Sequence, residues 1–387
     1  MTNQSETAPL NATDGDGPIQ FIDLKAQQAR IRNKIDARIK AVLDHGAYIN
    51  GPELGELEET LCNFTGAADC VGVASGTDSL IIAMLGESLG AGDAVFIPTF
   101  TYNATANAVL LTGATPIFVD VTTDTFNMDV ADLAMKIERV LEEGKLRPRM
   151  IIPVDLFGLP ADYPRISKIA KEYNLTIMAD AAQSFGGMLG NTRVGALAEI
   201  SSTSFFPGKG LGAYGDAGAL FTTDKAKGEI WRSIRWHGTD AQRKESIRVG
   251  FNGRLDSMQA AVLLEKLAIF PEELELRIKH AAQYDARLSG KVKLPSKVEG
   301  FQSSNGYYSL TVPNREVVQA ALKEASIPSA VYYTQPLHEM EAFKPYAGDT
   351  PFTGADTLAE EIMSLPMHPY LTEGQIDRVC DVVLSVS

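Results

Sequence analysis

Short apolar runs recur along the first half of the chain: CVGVA at 70–74, AVFIP at 94–98, TPIFVD at 115–120, RMIIPVDLF at 149–157 and LTIMAD at 175–180. Each is separated from the next by a stretch long enough for a crossover helix, which is the pattern of a parallel sheet covered on both faces. ISSTSFF at 200–206 and AGALFTT at 217–223 extend the strand series. Ahead of it, Ile31, Ile35, Ile39, Val42 and Leu43 repeat at helical spacing up to Gly46, and Leu54, Leu57, Leu61 and Phe64 mark a second helix. Helical text resumes at KAKGEIWRSIRW, then at LDSMQAAVLLEKLAIF, with a break expected at Pro271 and another helix beyond it. The division expected is a disordered tail over 1–18, a large α/β domain over 19–253 and a smaller α+β domain over 254–387.

The 387 residues, 45% of them hydrophobic, suffice for such a core, and a net charge of −14 argues against a nucleic-acid partner. Cys62, Cys70 and Cys380 have no metal-ligand spacing, so no metal is expected and the thiols read as reduced. No run reaches the roughly 20 apolar residues of a membrane span, and the first eighteen residues lack the apolar core of a signal peptide. The expected location is the cytoplasm.

TSFFPGKGLGAYGDAGALF contains G-x-G-x-x-G at Gly210, Gly212 and Gly215, the spacing of a dinucleotide loop. Such a loop must open a helix, whereas DAGALFTT reads as a strand, and a Walker A loop fails because Lys209 is followed by Gly210. Lys209, between two glycines, has room for a planar group to approach its amine; taken alone it is equally a solvated loop lysine. Asp180 ends a buried strand, where open α/β sheets bind ligands, and is either a cap or the partner of a cation such as a protonated pyridine nitrogen. Gln183, three residues on, is placed to hydrogen-bond a ring substituent. Ser75-Gly76-Thr77 precedes a helix whose first turn includes Asp78, either an ordinary cap or a phosphate cradle. An imine-forming lysine, a carboxylate for a pyridinium and a phosphate site together describe pyridoxal 5′-phosphate (PLP).

These residues resemble a known family. GAYINGPELGELEE, ASGTDSL, PTFTYNATANAV, GATPIFVDV, DAAQSFGG, TSFFPGKGLGAYGDAGA and GFNGRLDSMQAAVL are similar to the motifs of the DegT/DnrJ/EryC1/StrS sugar aminotransferases, over residues 19 to 387. The resemblance implies the PLP-dependent transferase fold type I, like aspartate aminotransferase, with a mostly parallel sheet in the large domain. It implies that Lys209 forms the imine, Asp180 pairs with the pyridine nitrogen and Gln183 lies by the phenolic oxygen. It further implies that Gly76, Thr77 and Ser204 hold the phosphate, that Tyr102 stacks on the ring and that Asn252 reaches the phosphate of a neighbouring subunit in a homodimer.

Within the family, FIDLKAQQARI, IPSAVYYTQPLH and IMSLPMHPYL look most like enzymes acting on UDP-2-acetamido-2-deoxy-3-oxo-glucuronate in bacterial surface-polysaccharide pathways, lipopolysaccharide O-antigen among them, with glutamate as donor. Arg254 then suits the uronate carboxylate, the alternative being a surface residue at a helix start, and Tyr332 and Tyr333 fall in the substrate-binding stretch. Arg235, His237, Arg243 and Arg248 are either nucleotide-phosphate contacts or a solvated loop; His338 and His368 read as structural. The competing readings are a different 3-keto or 4-keto nucleotide sugar, and a PLP-binding regulatory protein that catalyses nothing.

Overall fold

The computed structural model describes residues 17–386. The expected disordered tail falls outside them except for Gly17 and Pro18. Helix α1, Leu24–His45, opens where the Asp23 carboxylate accepts from Ala26 N at 2.9 Å, and closes at Gly46, whose φ of +70° is the left-handed conformation that favours glycine. Its buried Ile31 and Ile35 pack against Val262 and Ile269 of a later helix. Helix α2, Pro52–Thr65, starts with proline in its first turn, where the missing N–H costs nothing.

The central sheet is built from β1 (Asp69–Val73), β2 (Asp93–Pro98), β3 (Thr115–Val119), β4 (Arg147–Ile151) and β5 (Thr176–Asp180). After a small hairpin of β6 (Met188–Leu189) and β7 (Thr192–Arg193) come β8 (Ile200–Ser204) and β9 (Gly218–Thr222). Seven strands run in the order β1-β9-β8-β5-β4-β2-β3. All pairs from β8 to β3 are parallel, and β9 alone of these strands runs against its two neighbours. A hairpin-like return from β8 to β9 leaves no helix between them, which is the physical reason GKGLGAYG is not a dinucleotide loop.

Both faces are buried, as the apolar runs require. Along β2, Val95 and Ile97 enter one core cluster while Ala94 and Phe96 enter the other. The crossovers are α3 (Gly76–Gly86), α4 (Ala104–Leu111), α5 (Val130–Glu143) and α6 (Tyr163–Tyr173); α7 (Lys225–Ile234) follows β9. The parallel strands end at Pro98, Val119, Ile151, Asp180 and Ser204, so these residues share one edge.

Pro271 does not break the chain into two helices. Helix α8 runs unbroken from Ser257 to Leu288 with Pro271 inside it. The ring sits on the exposed side, while Leu267, Phe270 and Leu274 are buried in the core. Each buried side chain contributes about 1.5–3 kcal/mol, enough together to offset the roughly 3 kcal/mol that an interior proline costs. Further along α8, Tyr284 and Leu288 join a separate cluster with Leu310, Val318, Leu365 and Val379. That cluster is framed by the antiparallel pair Tyr308–Thr311 and Ile362–Leu365 and by helices Arg315–Glu324 and Glu373–Val386. Among the described residues, no helix is long and apolar enough to cross a membrane.

Candidate active site

The strand ends and the loops that follow them carry most of the residues singled out from the sequence. Ser75 caps α3, its hydroxyl accepting from Asp78 N at 3.0 Å and its carbonyl from Ser79 N, so the N–H groups left without an intrahelical partner in the first turn are those of Gly76 and Thr77. Gly76 lies directly against Ser204 at the end of β8: a Cβ there would stand 2.6 Å from the Ser204 Cβ. The lack of a side chain therefore lets a helix N-terminus and a strand-end hydroxyl approach each other, as a phosphate cradle requires.

Asp180, at the end of β5, is buried. Its Oδ2 accepts from the Thr105 hydroxyl at 2.8 Å and its Oδ1 from Ala182 N at 3.3 Å. Burial raises its pKa, and Thr105, Ala182 and the Lys209 ammonium oppose that rise. No ion pair closes on it among the described residues. Lys209, in the loop between β8 and β9, is partly buried; burial lowers its pKa while Asp180 and Tyr102 hold it up. A carboxylate and an amine are thus held in one recess, each desolvated and neither neutralised by direct contact.

Gln183 is oriented by a group that can only donate. Phe157 N–H, in a left-handed turn with φ of +56°, donates to Gln183 Oε1 at 2.8 Å. The amide nitrogen must therefore face the other way, and it donates to the Tyr333 hydroxyl at 3.2 Å. Tyr333 lies 6.2 Å, ring centre to ring centre, from Tyr102, and Tyr332 lies 5.1 Å from Tyr307. Tyr307 in turn has the Lys209 Nζ 5.9 Å from its ring centre. Behind this group, buried Asp155 accepts from Ala161 N, the Tyr163 hydroxyl and the Ser184 hydroxyl, and burial pushes its pKa up to about 7.

Not everything singled out joins this recess. Asn252 and Arg254 stand on an extended segment paired with Trp236 and Val73, and no hydrogen bond or ion pair among the described residues joins them to Lys209 or Asp180. Arg235 is not free to meet a phosphate: it is buried and paired with Glu58 at 2.6 Å and with the Gly72 carbonyl. His338 is held by the Thr99 hydroxyl at 2.8 Å and faces Asp356 at 3.3 Å. His368 is buried against the Gln20 carbonyl, and burial drives its pKa down to about 4. Thr105, Phe157 and Tyr307 are not singled out by the sequence; only Thr105, one turn beyond Tyr102, carries a local signal.

The recess fits PLP on its own terms. A buried carboxylate bonded only to neutral donors suits a pyridinium, an amine without an ion pair suits an imine, and a glycine-hydroxyl notch at a helix start suits a phosphate. The fold and these groups define an aminotransferase of the aspartate aminotransferase type. The chain matches the model of the DegT/DnrJ/EryC1/StrS aminotransferase family over residues 29–384 and belongs to that family. It is 46% identical over 366 residues to the UDP-2-acetamido-2-deoxy-3-oxo-D-glucuronate aminotransferase of Pseudomonas aeruginosa, covering 94% of this chain and 98% of the relative. A UDP-N-acetyl-3-dehydro-alpha-D-glucosamine 3-aminotransferase of Acidithiobacillus ferrooxidans is 37% identical over 368 residues, covering 94% of this chain and 97% of the relative. Among solved structures, a DegT/DnrJ/EryC1/StrS aminotransferase from Brucella abortus superposes with a TM-score of 0.93 at 44% identity, covering 95% of this chain and 99% of the other. The protein is a PLP-dependent sugar aminotransferase.

Proposed function

We propose that the substrate is a UDP-linked 2-acetamido-2-deoxy-3-oxo-glucuronate, aminated at C3 with glutamate as donor. Arg254 carries this reading: its guanidinium forms no ion pair among the described residues, and its Nε is buried without a partner. An arginine in that state is poised for a planar anion, and a uronate carboxylate is one. The similarity to the Pseudomonas aeruginosa enzyme supports the same choice. A panel of keto-sugar nucleotides assayed with glutamate tests it. The acidic 3-keto sugar should be preferred over its uncharged analogue, and Arg254→Ala should remove that preference; equal slowing of both substrates would show that Arg254 is not the selector.

PLP, when bound, supplies an aldehyde that takes up the amino group and a ring that withdraws electron density. In this reading Asp180 keeps the ring nitrogen protonated, Gly76, Thr77 and Ser204 bind the phosphate, and Tyr102 covers the ring face. Lys209 Nζ takes the proton from the donor's α-carbon and later returns a proton to the sugar's C3; burial lowers its pKa, which eases loss of the ammonium proton, while Asp180 and Tyr102 oppose that shift. Gln183 donates to the Tyr333 oxygen, so the Tyr333 proton is free to point at a sugar oxygen.

A homodimer completes the site in this proposal. Exposed Phe206, Ile247 and Val249 supply apolar surface for it, and exposed Asn252 reaches the phosphate bound by the partner. Mixing inactive Lys209→Ala and Asn252→Ala proteins should restore part of the activity if sites are shared; no recovery would place Asn252 in its own chain's site. The cytoplasm and surface-polysaccharide synthesis, including O-antigen, are the setting this substrate implies.

A further inference from the structure

Trp236, just beyond the end of α7, carries two arginines. The guanidinium carbon of Arg243 lies 3.7 Å from its ring centre and that of Arg254 lies 4.4 Å from it. Stacking engages the flat face of a guanidinium and leaves its in-plane N–H donors free. Neither arginine has an ion pair among the described residues, and the Arg254 Nε is buried unpartnered. Nearby arginines are different: Arg232 is spent on Asp69, Glu58 and the Cys70 carbonyl, and Arg235 on Glu58 and the Gly72 carbonyl. The indole therefore holds two charges in place without using their hydrogen bonds.

The backbone ties this cluster to the phosphate-binding candidate. Asn252 bridges to Trp236 and Arg254 bridges to Val73, at alternate positions of one extended segment, so Asn252 and Arg254 present the same face. Two like charges on one ring repel, and a carboxylate brought to their edges is attracted to both.

We propose that Trp236 is a specificity-determining positioning residue: it clamps Arg254 for the substrate's carboxylate, with Arg243 adding the second charge. This rests on the reading that the substrate is an acidic nucleotide sugar. Trp236 acts through Arg254 and sorts acidic sugars from neutral ones.

UDP-glucuronate and UDP-glucose, titrated calorimetrically into the PLP-loaded enzyme, test it. The wild type should bind UDP-glucuronate at least about tenfold more tightly. Trp236→Leu should shrink that ratio to about twofold, Trp236→Tyr should keep most of it because a flat ring remains, and Arg243→Ala should reduce it severalfold. A Leu variant that keeps the wild-type ratio, or a Tyr variant that loses as much as Leu, overturns the inference. If the wild type shows no preference, the acidic-substrate reading falls and this inference falls with it; a wild-type preference that survives in the Leu variant sinks the inference alone. Should the Leu variant fail to load PLP, fluorescence decides. The chain has two tryptophans, so in a Trp231→Phe background the remaining indole should change emission with UDP-glucuronate and not with UDP-glucose. Equal responses to both, or none, overturn the proposal.

Discussion

The Thr105 hydroxyl donates to Asp180 Oδ2 at 2.8 Å, from the first turn of α4 to the end of β5. The bond stabilises the ionised carboxylate that burial penalises. Thr105→Val keeps the shape and removes the donor, so the Asp180 pKa rises further. A hydrogen bond to a charged group contributes about 1.5–3 kcal/mol, and PLP affinity should therefore fall about tenfold or more. Loss of PLP on acidification should begin at a higher pH than in the wild type. Titrating apoenzyme with PLP across pH checks both; an unchanged acid limb would place Asp180 outside the control of ring protonation.

The direction of the hydrogen bonds through Gln183 gives a second outcome. Gln183→Glu presents an acceptor where the Gln183 amide now donates to the Tyr333 oxygen, and the Tyr333 hydroxyl would turn its own proton toward the carboxylate. Sugar amination should fall about a hundredfold, more than in Tyr333→Phe, because a buried charge is added as well as a donor lost. Single-turnover rates for the sugar half-reaction measure this, and equal losses in the two variants would contradict the assigned direction.

Gly76→Ala places a methyl group 2.6 Å from the Ser204 Cβ. The clash should destabilise the fold by about 1–3 kcal/mol and weaken PLP binding. Adding Ser204→Gly removes the Cβ and Oγ contacts and leaves the residue 204 Cα at 3.2 Å, so the double variant should regain part of the stability in urea unfolding without regaining PLP affinity. Full recovery of affinity would mean that Ser204 does not hold the phosphate.

Lys266 is a buried ammonium on α8, its Nζ 4.5 Å from the Tyr214 ring centre, and burial lowers its pKa from 10.5 to about 8. Between these two values the unfolded chain binds more protons than the folded one, so stability rises with pH there and the full penalty remains below about 8. Lys266→Met should therefore be more stable than the wild type by about 3 kcal/mol at pH 7, with the gap shrinking to under about 1 kcal/mol at pH 10. Urea unfolding at the two pH values checks it.

The sheet is legible in the sequence because each strand and each crossover carries its own pattern, and the period-two alternation of β2 serves two cores at once. Ser75-Gly76-Thr77, Asp180 and Gln183 can be picked out because strand ends and helix starts are local features. What stays hidden is tertiary. Arg235 reads as a nucleotide-phosphate contact or a solvated loop residue, whereas it is buried and Glu58, 177 positions away in the chain, holds it. Phe157 acts on Gln183 through a backbone N–H that no side-chain pattern announces, and Pro271 rides in a helix because burial on both sides of it outweighs a missing hydrogen bond.

Reducing the PLP-loaded enzyme with borohydride and mapping the modified peptide by mass spectrometry tests the assignment of Lys209 most directly. The pyridoxyl group should be found on Lys209, and Lys209→Ala should yield no labelled peptide and no turnover. A label on another lysine, or turnover in the variant, would contradict the account.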